Sequence, residues 1–265
     1  MSATIASAAP STPTRVDPSP FDLRAAVTSA PERAAALCLH GLTGTPWEVR
    51  SLGEALAARG IRARGPALPG HNSTPETLAI LDRDTWSSSV RDEYRRLRGE
   101  HQRVFLVGVS LGGLLSLSLA ANEPVDGLVV VGTPLRLRQP IPFLLPLLKR
   151  LMPMLPKRGG SDIRDAEARA RHPGYAVMPL RSVHELVKLQ KTVRAALAEI
   201  TAPILVAHGA HDSTASPRDA ELIHDSVSSE IRDIAIFAES AHVVSVDHDG
   251  PELAARVSDF LVARI

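Results

Sequence analysis

Arg103-Val104-Phe105-Leu106-Val107-Gly108-Val109-Ser110-Leu111-Gly112-Gly113 is the stretch on which the reading of this chain turns. Arg103 to Val107 is a short apolar run, the pattern of a buried strand, and Leu111 to Ala121 continues as a helix. Between them stands Gly-x-Ser-x-Gly. A serine on so sharp a strand-to-helix turn takes a strained backbone conformation that pushes its hydroxyl out over the sheet edge. Glycines two residues before and after leave room for the neighbouring strand and helix. The motif fixes only three positions and recurs by chance, so its weight lies in the strand-turn-helix context. In that context Ser110 reads as a nucleophile, with a structural Gly-rich turn as the alternative.

The same alternation extends on both sides. Ala35 to Leu39, Ile61 to Ala67, Gly127 to Val131, Pro203 to Ala207 and Ile231 to Phe237 read as further strands. Helices are expected from Thr45-Pro46-Trp47-Glu48 to about Gly60, after Asp84-Thr85, over Pro217 to Val227 and over Pro251 to Ala263. At the first of these, Thr45 caps, Pro46 takes the first helical position and Glu48 completes a capping box. Strand-helix alternation implies right-handed crossovers and an α/β fold with a doubly wound, mostly parallel sheet.

The alternation lapses between Thr133 and Thr201, where Leu, Pro and Arg are frequent. The expected organisation is a flexible N-terminal extension over 1–20, a core built from 21–134 and 201–265, and a helical cap insertion over 135–200. Pro10, Pro13, Pro18 and Pro20 argue against regular structure in the extension.

Composition narrows the function. Lys+Arg 30 against Asp+Glu 29 leaves a net charge of +1, which gives no reason to expect nucleic acid or an anionic membrane as partner. Aromatic residues at 3% do not supply base-stacking platforms. The single cysteine, Cys38, forms no internal disulfide and no cysteine-cluster zinc site, so a cytoplasmic location is the default. Cys38 sits inside an expected buried strand, where packing explains it better than nucleophilic chemistry. The most apolar segment, Ile141 to Leu155, is interrupted by Pro142, Pro146, Lys149, Arg150 and Pro153. A membrane span needs about 20 predominantly apolar residues, so stable insertion is not expected.

On the strand, elbow and helix around Ser110 the chain resembles the α/β-hydrolases. That resemblance implies the chain order nucleophile, acid, base. Asp212, in His208-Gly209-Ala210-His211-Asp212, is the first carboxylate after the strand at 203–207, and His242, in Ala238-Glu239-Ser240-Ala241-His242, the first histidine after 231–237. Glu239 is the rival acid, and His208, His211 and Asp212 admit a metal reading that a serine elbow does not need. The resemblance implies an oxyanion hole from the N–H of Leu111, after the nucleophile, and of Leu42, in the loop His40-Gly41-Leu42-Thr43-Gly44. No cofactor and no metal are expected.

His40-Gly41-Leu42-Thr43-Gly44-Thr45-Pro46, Leu68-Pro69-Gly70-His71, Trp86, the elbow and Ser240-Ala241-His242-Val243-Val244 are similar to bacterial carboxylesterases and monoacylglycerol lipases. Two positions depart from the usual pattern: Leu42 stands where an aromatic is common, and Leu111 where methionine is. The resemblance implies a small-molecule acyl ester substrate, short- to medium-chain or a monoacylglycerol, cleaved through an acyl-enzyme. A thioesterase, amidase, cofactor-free peroxidase or acyltransferase would use the same triad, and a non-catalytic binding protein the same fold. Ile141, Phe143, Leu144, Leu145 and Leu148 are the expected acyl-pocket residues; the alternative is that they only build the cap's own core. Transient contact of this segment with a lipid surface is a further expectation.

Overall fold

Successive side chains of a strand point to opposite faces, so a strand apolar at every position must be covered on both. Ala34–Leu39 is such a strand, buried along its whole length. The computed structural model describes residues 16–26, 33–137 and 141–265, the side chains of 141 and 142 excepted. In chain order the core opens with β1 (Phe21–Leu23), β2 (Ala34–Leu39), α1 (Trp47–Ala58), β3 (Arg62–Gly65), α2 (Pro75–Ile80), α3 (Arg83–Glu100), β4 (Arg103–Val109), α4 (Leu111–Ala120) and β5 (Gly127–Val131). An inserted stretch holds α5 (Ile141–Leu151), β6 (Met154–Pro156), α6 (Ala166–Arg171), β7 (Val177–Pro179) and α7 (Leu180–Ala196). The core resumes with β8 (Ile204–Gly209), α8 (Arg218–Ser226), β9 (Arg232–Phe237) and α9 (Gly250–Val262).

Seven strands form one sheet in the order β1-β3-β2-β4-β5-β8-β9. Every neighbouring pair is parallel except β1 with β3. The doubly wound, mostly parallel sheet read from the sequence is therefore present. Ala35, Leu37 and Leu39 of β2 face a core shared with α3, α4, α7 and α8. Ala34, Ala36 and Cys38 face the opposite core, closed by α1 and α9. Chain order reverses between β2 and β4, which makes the carboxyl ends of those strands the switch point where α/β sheets bind ligands.

Two expectations are corrected. The insertion is not purely helical: β6 and β7 pair antiparallel, with Leu155 opposite Met178. Pro156 and Pro179 lack an N–H, and a two-stranded ribbon tolerates them because each strand has a free edge. Residues 1–15 of the presumed extension lie outside the described residues, but 17–19 are held in place. Arg50 on α1 donates to Asp17 Oδ2 at 3.1 Å and to the Ser19 carbonyl at 2.9 Å. No described helix is long and apolar enough to cross a membrane.

Candidate active site

Ser110 caps α4 with φ 53° and ψ −111°, a conformation non-glycine residues rarely adopt. Strain of this kind costs on the order of 1–3 kcal/mol and persists only where the surroundings over-determine it. Here they do. The Ser110 N–H donates to the Val131 carbonyl at 2.9 Å. A Cβ on Gly108 would stand 2.3 Å from the Gly112 carbonyl, and one on Gly112 would stand 2.1 Å from the Leu39 carbonyl oxygen. Both glycines of the motif are thus required by backbone contacts, and their close packing drives the serine outward.

The loops after β8 and β9 bring the other two residues to it. Ser110 Oγ lies 2.9 Å from His242 Nε2, and His242 Nδ1 lies 2.8 Å from Asp212 Oδ2. A carboxylate only accepts, so Asp212 assigns the ring proton to Nδ1 and leaves Nε2 to accept from the serine hydroxyl. Asp212 Oδ1 accepts from the N–H groups of Thr214 at 2.8 Å and Ala215 at 2.7 Å. Burial opposes the Asp212 charge, but the His242 and His208 rings beside it hold its carboxyl well below the usual range. Burial likewise opposes the imidazolium of His242 and is the largest single influence on it, but the Asp212 charge and hydrogen bond, with the Asp162 and Glu48 charges, together outweigh it and raise the ring above an ordinary histidine. His208 Nε2 lies 2.8 Å from Asp212 Oδ2, out of line for a hydrogen bond. The rival acid Glu239 faces solvent and meets Arg164 at 3.7 Å instead.

The loop after β2 curls beside Ser110. A Cβ on Gly41 would sit 3.4 Å from Ser110 Cβ, so the backbone comes close to this serine. Among the described residues, the N–H groups of Leu42 and Leu111 donate to no protein acceptor, leaving both for a ligand oxygen. Buried His40 braces the loop: its Nδ1–H donates to the Gly41 carbonyl at 2.9 Å, and its Nε2 accepts from the Leu68 N–H at 3.1 Å. Glu48 is the residue the sequence reading misplaced. Its side chain makes no cap on α1; one oxygen accepts from the Gly41 N–H at 2.8 Å and the other meets His172 Nε2 at 2.8 Å. Gly44 accommodates it, since a Cβ there would stand 2.1 Å from Glu48 Oε1. Glu48 shares one helical stripe with Leu52 and Leu56, and a carboxylate on an apolar stripe was the signal available in the sequence.

A cavity of about 650 Å³ opens over Ser110 and His242. Leu42, Leu137, Leu155, Met178, Leu180, Val183 and Leu186 give it an apolar wall; Lys157, Arg158, Asp162 and Arg169 add charge. The expected acyl-pocket residues are corrected at this point: Phe143, Leu144, Leu145 and Leu148 do not line the cavity, and the Ile141 side chain lies outside the described residues. The reason is the seating of α5, which lies against α7 with Leu145 buried and Phe143 turned 82% to solvent. The cavity wall comes from the ribbon, from α7 and from Leu42 and Leu137; the apolar spacing of α7 marks a buried face but not that part of it meets the cavity.

The model of the Hydrolase_4 family, described as serine aminopeptidase, S33, matches residues 30–249. The chain belongs to that family. As a Hydrolase_4 protein it is a serine hydrolase of the α/β-hydrolase fold. It is 30% identical to the thermostable monoacylglycerol lipase of Bacillus sp. (strain H-257), over 84% of this chain and 88% of the relative. It is 28% identical to a carboxylesterase of Bacillus subtilis (strain 168), over 86% and 92% respectively. A solved structure from the metagenome-derived lipolytic enzymes LipS and LipT superposes with a TM-score of 0.85 at 25% identity, covering 94% of this Hydrolase_4 chain and 98% of that one.

Proposed function

We propose that this chain is a carboxylester hydrolase in which Ser110, His242 and Asp212 act as nucleophile, general base and orienting acid. One observation carries the reading: an unbroken chain of contacts at 2.9 and 2.8 Å, Ser110 to His242 to Asp212, opens onto a mostly apolar cavity. A serine hydroxyl is a weak nucleophile at neutral pH. His242 takes its proton as Oγ attacks the ester carbonyl, and Asp212 stabilises the imidazolium that forms. The carbonyl oxygen becomes an oxyanion held by the Leu42 and Leu111 amides, each worth about 2.7–4 kcal/mol in related mechanisms. His242 then protonates the leaving alcohol, and afterwards takes a proton from water to release the acid.

The apolar wall supports a short- to medium-chain acyl ester or a monoacylglycerol as substrate, in line with the activities for which the two relatives are named. An aminopeptidase fits less well. Such an enzyme must hold a substrate ammonium, yet the lining carboxylates Glu48 and Asp162 already accept hydrogen bonds. Among the described residues Lys157, Arg158 and Arg169 carry charge into the lining with no carboxylate paired to them. Exposed Phe143, Leu147 and Leu151 recur every fourth residue on α5, beside Lys149 and Arg150; they support transient contact with a lipid surface. A cytoplasmic location fits a lone, buried thiol at Cys38.

The test is turnover of p-nitrophenyl esters from acetate to palmitate, beside thioester and anilide analogues of one acyl chain. Ester turnover peaking at a medium chain, with the anilide inert, is the expected result. Preferred cleavage of the thioester or anilide would replace this reading with a thioesterase or amidase.

A further inference from the structure

Asp212 and His242 ride on loops that follow different strands, β8 and β9, and a contact of 2.8 Å between their side chains tolerates little drift. One residue of the insertion grips both loops. Asp162 Oδ2 accepts from the Ser213 N–H at 2.9 Å, the Thr214 N–H at 3.0 Å and the Thr214 hydroxyl at 3.0 Å, all beside Asp212. Its main-chain carbonyl accepts from the His242 N–H at 3.1 Å and the Val243 N–H at 3.3 Å. The Thr214 N–H is shared, since it also donates to Asp212 Oδ1. The residues that follow hold the His242 side a second time. Arg164 and Asp165 donate their N–H groups to Asp247 at 2.9 and 2.8 Å, and Asp247 also accepts from the Ala241 N–H at 2.8 Å. Ile163, 2% exposed, packs in the same core cluster as Val243 and Val244.

From these contacts we infer that Asp162 is a positioning residue of the triad: it sets the spacing between the Asp212 loop and the His242 loop, so the insertion that walls the cavity also frames the catalytic groups. The inference rests on the triad roles proposed above. Five hydrogen bonds converge on Asp162, two on its carbonyl and three on one carboxylate oxygen. Removing the carboxylate frees the Asp212 side of the clamp while the carbonyl still holds the His242 side. The charge is a separate contribution. Asp212, Asp162 and Glu48 are the anionic groups acting on the His242 ring, each favouring its protonated form.

Two variants separate position from charge. Asp162→Ala removes the acceptor and the charge; Asp162→Asn keeps an acceptor oxygen for Ser213 and Thr214 and removes the charge alone. In Asp162→Ala, kcat on a p-nitrophenyl ester falls by about 100-fold while KM stays within roughly threefold, as expected for a misplacement on the order of 1 Å. In Asp162→Asn, kcat lies between the two, and the acid limb of its pH profile moves to lower pH. NMR titration of the His242 ring protons reads the same downward shift without any turnover. If the alanine variant fails to fold, the asparagine variant and its titration decide. Wild-type kcat in Asp162→Ala, or an unmoved His242 titration in Asp162→Asn, would overturn the inference. A wild-type protein inert towards every ester counts against the hydrolase reading instead, and the titration still judges Asp162.

Discussion

Glu48 and His172 stand 124 residues apart in the chain and meet at 2.8 Å, Oε1 to Nε2, with both side chains buried. His172 Nδ1 accepts from the Gly174 N–H at 3.1 Å, which places the ring proton on Nε2 and makes the contact a donation to Glu48. The second Glu48 oxygen holds Gly41, next to the proposed oxyanion donor Leu42. The insertion and the loop after β2 are therefore joined through one carboxylate.

Removing the donor to a buried carboxylate costs about 1–3 kcal/mol or somewhat more, because the charge loses a hydrogen bond it cannot replace with water. His172→Ala is expected to lose stability of that order, read by urea unfolding near pH 7. The pH dependence has a definite sign. Burial disfavours the Glu48 charge, but His172, His40 and the Gly41 N–H bring its carboxyl down to about 2. An unfolded glutamate titrates at about 4.3, so this contribution is present above that pH and is lost as pH falls through about 2. The gap between wild type and His172→Ala should narrow over that window. A constant gap would count against the contact.

The elbow predicts opposite results for two glycine-to-alanine changes. At Gly112 a new Cβ would press on the Leu39 backbone at 2.1 Å, so β2 or α4 must shift and Ser110 with it. Activity should fall by about 100-fold, with a loss of roughly 1–3 kcal/mol for overpacking. At Gly99, near the end of α3, nothing lies within 4 Å of the added carbon. Gly99→Ala should stabilise by about 0.5–1 kcal/mol through helix propensity and leave kcat unchanged. Thermal unfolding and ester turnover of both variants check this.

In the proposed mechanism His242 must be neutral to take the Ser110 proton. Burial pulls its pKa down, and the Asp212 charge and hydrogen bond together with the Asp162 and Glu48 charges outweigh it, so the net shift is upward. The acid limb of kcat/KM is therefore expected above the ordinary histidine value of about 6.5. In Asp212→Asn the offsetting charge is gone and the ring tautomer is no longer enforced; kcat should fall by about 10⁴-fold. A wild-type limb below that value would contradict the electrostatic account.

Cys38 lies in β2 with no exposed surface, and burial pushes its thiol up to about 12. A thiolate is the reactive form, so the native protein should resist an aromatic disulfide reagent and react with one equivalent once unfolded. Fast labelling of the folded protein would show that the sheet opens there.

How much of this was legible beforehand follows from which interactions are local. The strands and helices of the core announce themselves by apolar period and by end signals, and the elbow by glycines that contact the backbone of Gly112 and Leu39. Strand β1, only Phe21–Leu23, and the ribbon strands β6 and β7 are too short to carry a period. Thr45-Pro46-Trp47-Glu48 matches a capping box by spacing, yet Gly41 and His172 compete for the same carboxylate and win it. The α5 leucines look like a pocket lining in composition alone; their orientation is set by packing on α7, a contact that no local pattern encodes. Asp162 escaped for the same reason, since its partners lie 51 and 52 residues away at Ser213 and Thr214.

The central claim is that Ser110 carries the acyl group. The most direct measurement is intact-protein mass spectrometry after a fluorophosphonate, with peptide mapping, run beside p-nitrophenyl butyrate turnover for wild type and Ser110→Ala. One adduct per chain, mapped to Ser110, with the variant unlabelled and at background turnover, is the predicted result. An adduct on another residue, or equal turnover by the variant, would contradict it.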